Sequence, residues 1–268
     1  MAVLASAFFV LAGAAAWQWF TPRAVPEDVA ALPVPPFPPR IAQGQDYENC
    51  LAALADDPAN AVSLADSLEA EGGSEAGAHC RGLALIALGK PDAGAVLLEK
   101  LAGASSAPPL GRASVLGQAA QARLMVMQAD QARTDLSQAL ALAPEDTDLL
   151  VMRAQAEETQ RNYQGAEIDL NAALAQDADR ADALVERAAV RRKTGQLDLA
   201  KADVTRALEI DPDNADALLE RGILRQRLGD NDGARTDWQH AMGVDPNSTT
   251  ADLAQQNLSL LEAGPPAR

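Results

Sequence analysis

The chain is poor in aromatic side chains: Phe, Trp and Tyr make up 3% of 268 residues, although 48% of the chain is hydrophobic. Its interior must therefore be built from Ala, Leu, Val and Ile, and small apolar residues suit helices that approach closely. It is also poor in positive charge, with 22 Lys and Arg against 38 Asp and Glu, a net charge of −16. Phosphate binding needs a basic stripe, so nucleic acid is excluded as a partner. Two histidines and two cysteines leave little for catalysis or metal binding. Cys50 and Cys80 form no CxxC motif and no four-ligand zinc spacing. There is no HExxH, Ser-His-Asp set or Gly-rich phosphate loop, so no catalytic residue, metal or cofactor is expected.

Against these absences stand two segments and one repeat. Residues 2–20, AVLASAFFVLAGAAAWQWF, are apolar apart from Ser6 and Gln18. As a helix the run would span about 28 Å, close to a bilayer core. Two readings stay open. Ala14-Ala15-Ala16 offers a signal-peptide cleavage site, while Trp17, Trp19 and Phe20 would suit the interfacial end of a retained anchor. Either implies export or membrane attachment, in a bacterial periplasm or on the inner membrane facing it. The membrane is then touched only through residues 2–20, if these stay uncleaved. Residues 21–44 hold seven prolines, which favour an extended, stiff linker.

Helical periodicity begins near Asp46 and continues, irregularly, to residue 108. The stretch AGASSAPPL, 102–110, reads as a break between helices. From Ala113 the register becomes strict, with units 113–146, 147–180, 181–214 and 215–248. Ala132, Ala166, Ala200 and Ala234 recur at one position, and Asp135, Asp169, Asp203 and Asp237 at another. The units close on Pro144, Ala178, Pro212 and Pro246. Gly195 and Gly229 mark the turn within two units, where Met127 and Arg161 stand in the others. Thr249 to Ala263 reads as a closing helix with Leu253, Leu258 and Leu261 on one face.

A 34-residue helix-turn-helix unit with small mid-helix residues, a Leu-Gly turn and a closing Asp-Pro resembles the tetratricopeptide repeat. The resemblance implies an all-α, right-handed solenoid of stacked hairpins with a C-terminal cap helix. It implies no enzymatic activity and a scaffold that binds protein. In this family a peptide lies on the face lined by the first helix of each unit. Here the corresponding residues are Asp148, Val151, Gln155 and Glu158, then Asp182, Val185, Ala189 and Arg192, then Asp216, Leu219, Ile223 and Gln226. Members that grip a terminal carboxylate use Lys, Arg and Asn there, whereas Val151, Val185 and Leu219 stand in this chain.

Stacking also makes the first and third helices after the linker neighbours, so Cys50 and Cys80 are expected to pair as a disulfide. The recurrent Arg153, Arg187 and Arg221 are expected to pair with Asp169, Asp203 and Asp237, tying together the two helices of each unit. Three readings of function remain open at this level. One is an envelope adaptor holding a peptide in its groove. The second is a thiol-active maturation accessory using Cys50 and Cys80, and the third is a spacer without a ligand. The sequence does not define the partner or the oligomeric state.

Overall fold

The computed structural model describes residues 40–264. Residues 2–20 and the proline-rich stretch as far as residue 39 lie outside them, so the export and anchor expectations, and the linker expectation up to residue 39, fall outside the described residues. Among the described residues no helix is long and apolar enough to cross a membrane.

The described residues form an all-α solenoid of thirteen helices. Six hairpins follow one another: α1 (Gln45–Asp56) with α2 (Pro58–Ala70), α3 (Ser74–Ala87) with α4 (Pro91–Ala104), and α5 (Pro109–Met125) with α6 (Ala129–Leu142). Then come α7 (Thr147–Thr159) with α8 (Tyr163–Gln176), α9 (Ala181–Lys193) with α10 (Leu197–Ile210), and α11 (Ala215–Arg227) with α12 (Asn231–Val244). A last helix, α13 (Thr249–Ala263), packs on α11 and α12. Each hairpin touches the next, and the first helices of successive hairpins also meet: α7 with α9, α9 with α11.

Local chemistry sets the boundaries. Asp57 ends α1 and caps α2, its carboxylate accepting from Asn60 N at 3.0 Å. Asp146, Asn162, Asn214, Asp230 and Ser248 cap later helices in the same way, each satisfying an amide that the first turn leaves without a partner. The turn residues Gly89, Gly195 and Gly229 take positive φ between 74° and 88°. Met127 and Arg161 are forced into the same region, at 62° and 61°.

The core is made of small and branched aliphatic residues. Ala132, Ala166, Ala200 and Ala234, like Ala139, Ala173, Ala207 and Ala241, are fully buried where helices cross. Leu136, Leu170, Val204 and Trp238 occupy one equivalent position and are equally buried.

The structure corrects three expectations. The linker does not extend to residue 44: Ile41 is buried in the core and Arg40 pairs with Glu48. The Arg40 carbonyl lies so close to α5 that a Cβ on Gly111 would come within 2.7 Å of it. The break between α4 and α5 is only residues 105–108, because Pro109 is tolerated in the first turn of a helix, where no amide hydrogen is needed. Ser105 Oγ and Glu75 take the amides of Ala107 and Ser106 in that short crossing. In α13 the packed face is Ala251, Ala254 and Leu258, with Leu261 partly buried; Leu253 is exposed. The spacing 251, 254, 258 follows the helical period, whereas 253 is rotated away from it.

Candidate functional site: the first-helix face and its charge ladder

Three of the four strict units are tied internally by a bidentate pair between their two helices. Arg153 donates to Asp169 through Nε and Nη2, both at 2.6 Å. Arg187 holds Asp203 at 3.0 and 2.7 Å, and Arg221 holds Asp237 at 3.0 and 2.7 Å. The aspartates are buried and their arginines are partly exposed. A second arginine one turn later completes two of the sites: Arg191 reaches Asp203 and Arg225 reaches Asp237. In the unit before, Glu157 takes that later place, beside Asp169. Burial and the Asp169 charge both raise the Glu157 carboxyl above its usual range, only partly opposed by Arg153, Arg133 and Asn162. Its Oε2 is buried without a hydrogen-bond partner. In the first strict unit Ala119 replaces the earlier arginine, and Arg123 alone reaches Asp135, at 2.8 Å.

The face made by α7, α9 and α11 is a ladder of side chains that bridge successive units. Gln155 donates to Glu186 at 2.9 Å, and Lys193 pairs with Glu158. Arg192 clamps Glu220 at 2.5 and 3.1 Å, and Arg227 donates to the Arg192 carbonyl at 3.3 Å. Burial pushes the Glu186 carboxyl up; the Gln155 amide opposes this, while the charges of Asp216, Asp182 and Glu220 add to it. Burial likewise raises Glu220 against the pull of Arg192 and Lys193.

Two corrections follow for the peptide-lining residues. Val151 is 4% exposed and belongs to the core, so it presents nothing to a ligand. Gln155, Glu158 and Arg192 lie on the expected face but are engaged between units. Val185, Ala189, Leu219, Ile223 and Gln226 are partly exposed beside them. Glu186 and Glu220 were missed from sequence, although their 34-residue separation was a readable signal.

The cysteine-bearing end has its own buried centre. Cys50 of α1 and Cys80 of α3 form a disulfide with Cα atoms 6.2 Å apart, and neither is exposed. Next to it His79, 2% exposed, joins Tyr47 and Gln118. Gln118 Oε1 lies 2.6 Å from Nε2 and can only accept, so Nε2 carries the proton. Nδ1 then accepts from the Tyr47 hydroxyl at 2.5 Å. Burial drops the imidazole to about 4 and raises the Tyr47 phenol beyond its usual range. A neutral histidine thus links three hairpins, through α1, α3 and α5. Among the described residues no grouping of three or more His, Cys, Asp or Glu could hold a metal ion.

The hairpins, the Arg–Asp pairs and the Gly turns define a tetratricopeptide-type solenoid. Tetratricopeptide repeat models match residues 181–214 and 204–236. Solved structures of low identity share the fold. One, from a study titled "Functional Characterization of Pseudomonas Aeruginosa pilF", is 16% identical, with a TM-score of 0.62 over 79% of this chain and 96% of that one. TTC0263 of Thermus thermophilus, described as a thermophilic TPR protein, is 20% identical, with a TM-score of 0.56 over 70% and 100%. YrrB, described as a TPR protein with an unusual peptide-binding site, is 17% identical, with a TM-score of 0.53 over 73% and 97%. No curated protein sequence matches this chain.

Proposed function

We propose that this protein is an interaction scaffold of the bacterial cell envelope that holds a peptide segment of a partner protein on the face made by α7, α9 and α11. The observation that carries the reading is the line of partly exposed apolar side chains Val185, Leu219 and Ile223. The bridges between units flank that line and hold it in place. Apolar anchors at helical spacing, beside the acidic Asp182 and Asp216, suit an extended or helical segment with apolar side chains and some basic charge. The valines and leucine where a carboxylate clamp needs Lys or Asn argue against recognition of a chain terminus.

An envelope location is supported by the apolar run 2–20 and by the Cys50–Cys80 pair, since disulfides persist outside the reducing cytosol. Complete burial of both sulfurs favours a structural clamp over the thiol-active reading, because exchange needs access to a sulfur.

The test is recovery of partners from envelope extracts with wild type, Val185→Glu, Ile223→Glu and an outer control, Gln239→Glu. A partner lost with both groove variants and kept by the control supports the reading. Retention of every partner by both groove variants leaves only the spacer.

A further inference from the structure

Between consecutive units, the second helix of one hairpin faces the first helix of the next, and at two of the four junctions from α4 to α11 an acid pairs with an arginine across the gap. At α4/α5 Glu99 pairs with Arg123 at 2.7 Å. At α6/α7 the signs are exchanged: Arg133 stands at the Glu167 position and Glu157 at the Arg191 position. At α8/α9 Glu167 pairs with Arg191 at 2.9 Å, and Gln196 also donates to it. The junction α10/α11 instead sets two basic residues against each other. Lys201 stands where Glu167 stood, and Thr205 stands at the place of Glu99; both face Arg225. The junction opens as a cleft of about 390 Å³. Its walls carry Lys201, Arg221 and Arg225, and its accessible apolar side is Leu228, 56% exposed, with Val204 and Leu224 buried beneath. The two arginines already hold Asp237, and Asp230 lies 3.7 Å from Arg225 at the edge. The Lys201 ammonium makes no hydrogen bond or ion pair among the described residues.

We infer that the α10/α11 cleft is a second binding site, taking an acidic side chain flanked by an apolar one from a peptide segment. The unanswered cation supplies the charge for one carboxylate, and Leu228 takes the neighbouring aliphatic group. A polyanion is disfavoured by the remainder of a chain carrying net charge −16. The site is separate from the first-helix face: its residues come from α10 and the opposite side of α11 from Leu219, Ile223 and Gln226.

The test is calorimetric titration of the full chain with a capped peptide, Gly-Leu-Glu-Leu-Gly, with its glutamine analogue, and with inorganic phosphate. The variants are Lys201→Glu and Thr205→Glu, which restore the acids present at α8/α9 and α4/α5, so both are expected to fold. The glutamate peptide should bind saturably and more weakly in high salt, with about a tenfold loss on exchange to glutamine and in each variant. Val185→Glu should leave this binding unchanged, which keeps the outcome distinct from that for the first-helix face. Equal affinity in both variants, equal affinity for the glutamine analogue, or no saturable binding overturns the inference. Phosphate displacing the peptide at equal concentration overturns the peptide assignment.

Discussion

Gly222 makes room for Trp238. A Cβ at Gly222 would lie 2.3 Å from the indole Nε1, which donates to the Leu219 carbonyl at 3.3 Å. In the two preceding units the same pair of positions holds Ala154 with Leu170 and Ala188 with Val204. Glycine and tryptophan have thus exchanged volume across the helix crossing of the last hairpin. At the equivalent crossing of an earlier hairpin Gly82 lies close against Leu98, with an added Cβ 2.6 Å from Leu98 Cδ2.

Gly222→Ala is therefore expected to destabilise the protein by about 1–3 kcal/mol, the cost of overpacking, although alanine favours a helix over glycine. Trp238→Val should lose packing in the wild type and lose less in the Gly222→Ala background. A double-mutant cycle by urea denaturation measures the coupling; additive effects would show that the two residues do not share volume.

The Arg–Asp pairs lead to a second expectation. Asp203 is 5% exposed and receives Arg187 and Arg191 together. Asp203→Ala leaves Arg187 without a carboxylate, with only the Asn171 amide, while Glu167 still holds Arg191, and should cost about 2–4 kcal/mol. Asp135→Ala, which releases Arg123 alone, should cost less because Glu99 still holds that arginine. An unchanged melting temperature for Asp203→Ala would mean the pair contributes nothing to register.

Met127 and Arg161 sit in turns where the backbone is left-handed, and Met127 is 79% exposed. For an L-residue with a Cβ that conformation costs roughly 1–2 kcal/mol, and glycine removes the cost while adding some freedom to the unfolded chain. Met127→Gly and Arg161→Gly should each raise stability by about 0.5–1 kcal/mol, read as a higher denaturant midpoint. Gly195→Ala, the reverse change in the next unit, should lower it.

Much of this architecture was legible because the repeat states each structural demand several times. A residue seen four times at 34-residue spacing reports a demand of the fold, as Ala200 and Asp203 do. What one unit does differently was harder to read. The Glu186–Gln155 and Glu220–Arg192 bridges depend on how far each unit turns relative to the last, a quantity set by packing. Val151 was read as ligand-facing from the family resemblance, like Val185, yet it is buried while Val185 is only partly covered. The docking of Ile41 was hidden by the proline-rich composition around it. The role of His79 was hidden because its partners lie 32 and 39 residues away in the sequence.

That histidine gives the last expectation, which concerns pH. Burial, with a smaller contribution from Arg40, lowers its folded pKa from 6.5 to about 4, against the opposing pull of the Gln118 hydrogen bond. The unfolded chain therefore takes up a proton at this site before the folded one does. Its contribution to stability is complete above pH 6.5 and is lost as pH falls from there toward about 4, to an extent on the order of 3 kcal/mol. Glu157, Glu186, Glu220 and Asp135 act in the opposite sense, since their raised pKa values add stability as pH falls. The net profile consequently mixes both signs, and a variant is needed to separate them. In His79→Gln the amide can accept from Tyr47 and donate to Gln118 without titrating. The urea midpoint of the wild type should exceed that of the variant above pH 6.5, because the imidazole fills its site, and the difference should shift in favour of the variant as pH falls toward 4. The intact Cys50–Cys80 bond should be kept in both, because closing its 30-residue loop contributes about 3–4 kcal/mol of its own. A stability difference that stays constant from pH 7 to pH 4 would show that His79 does not titrate against its buried surroundings.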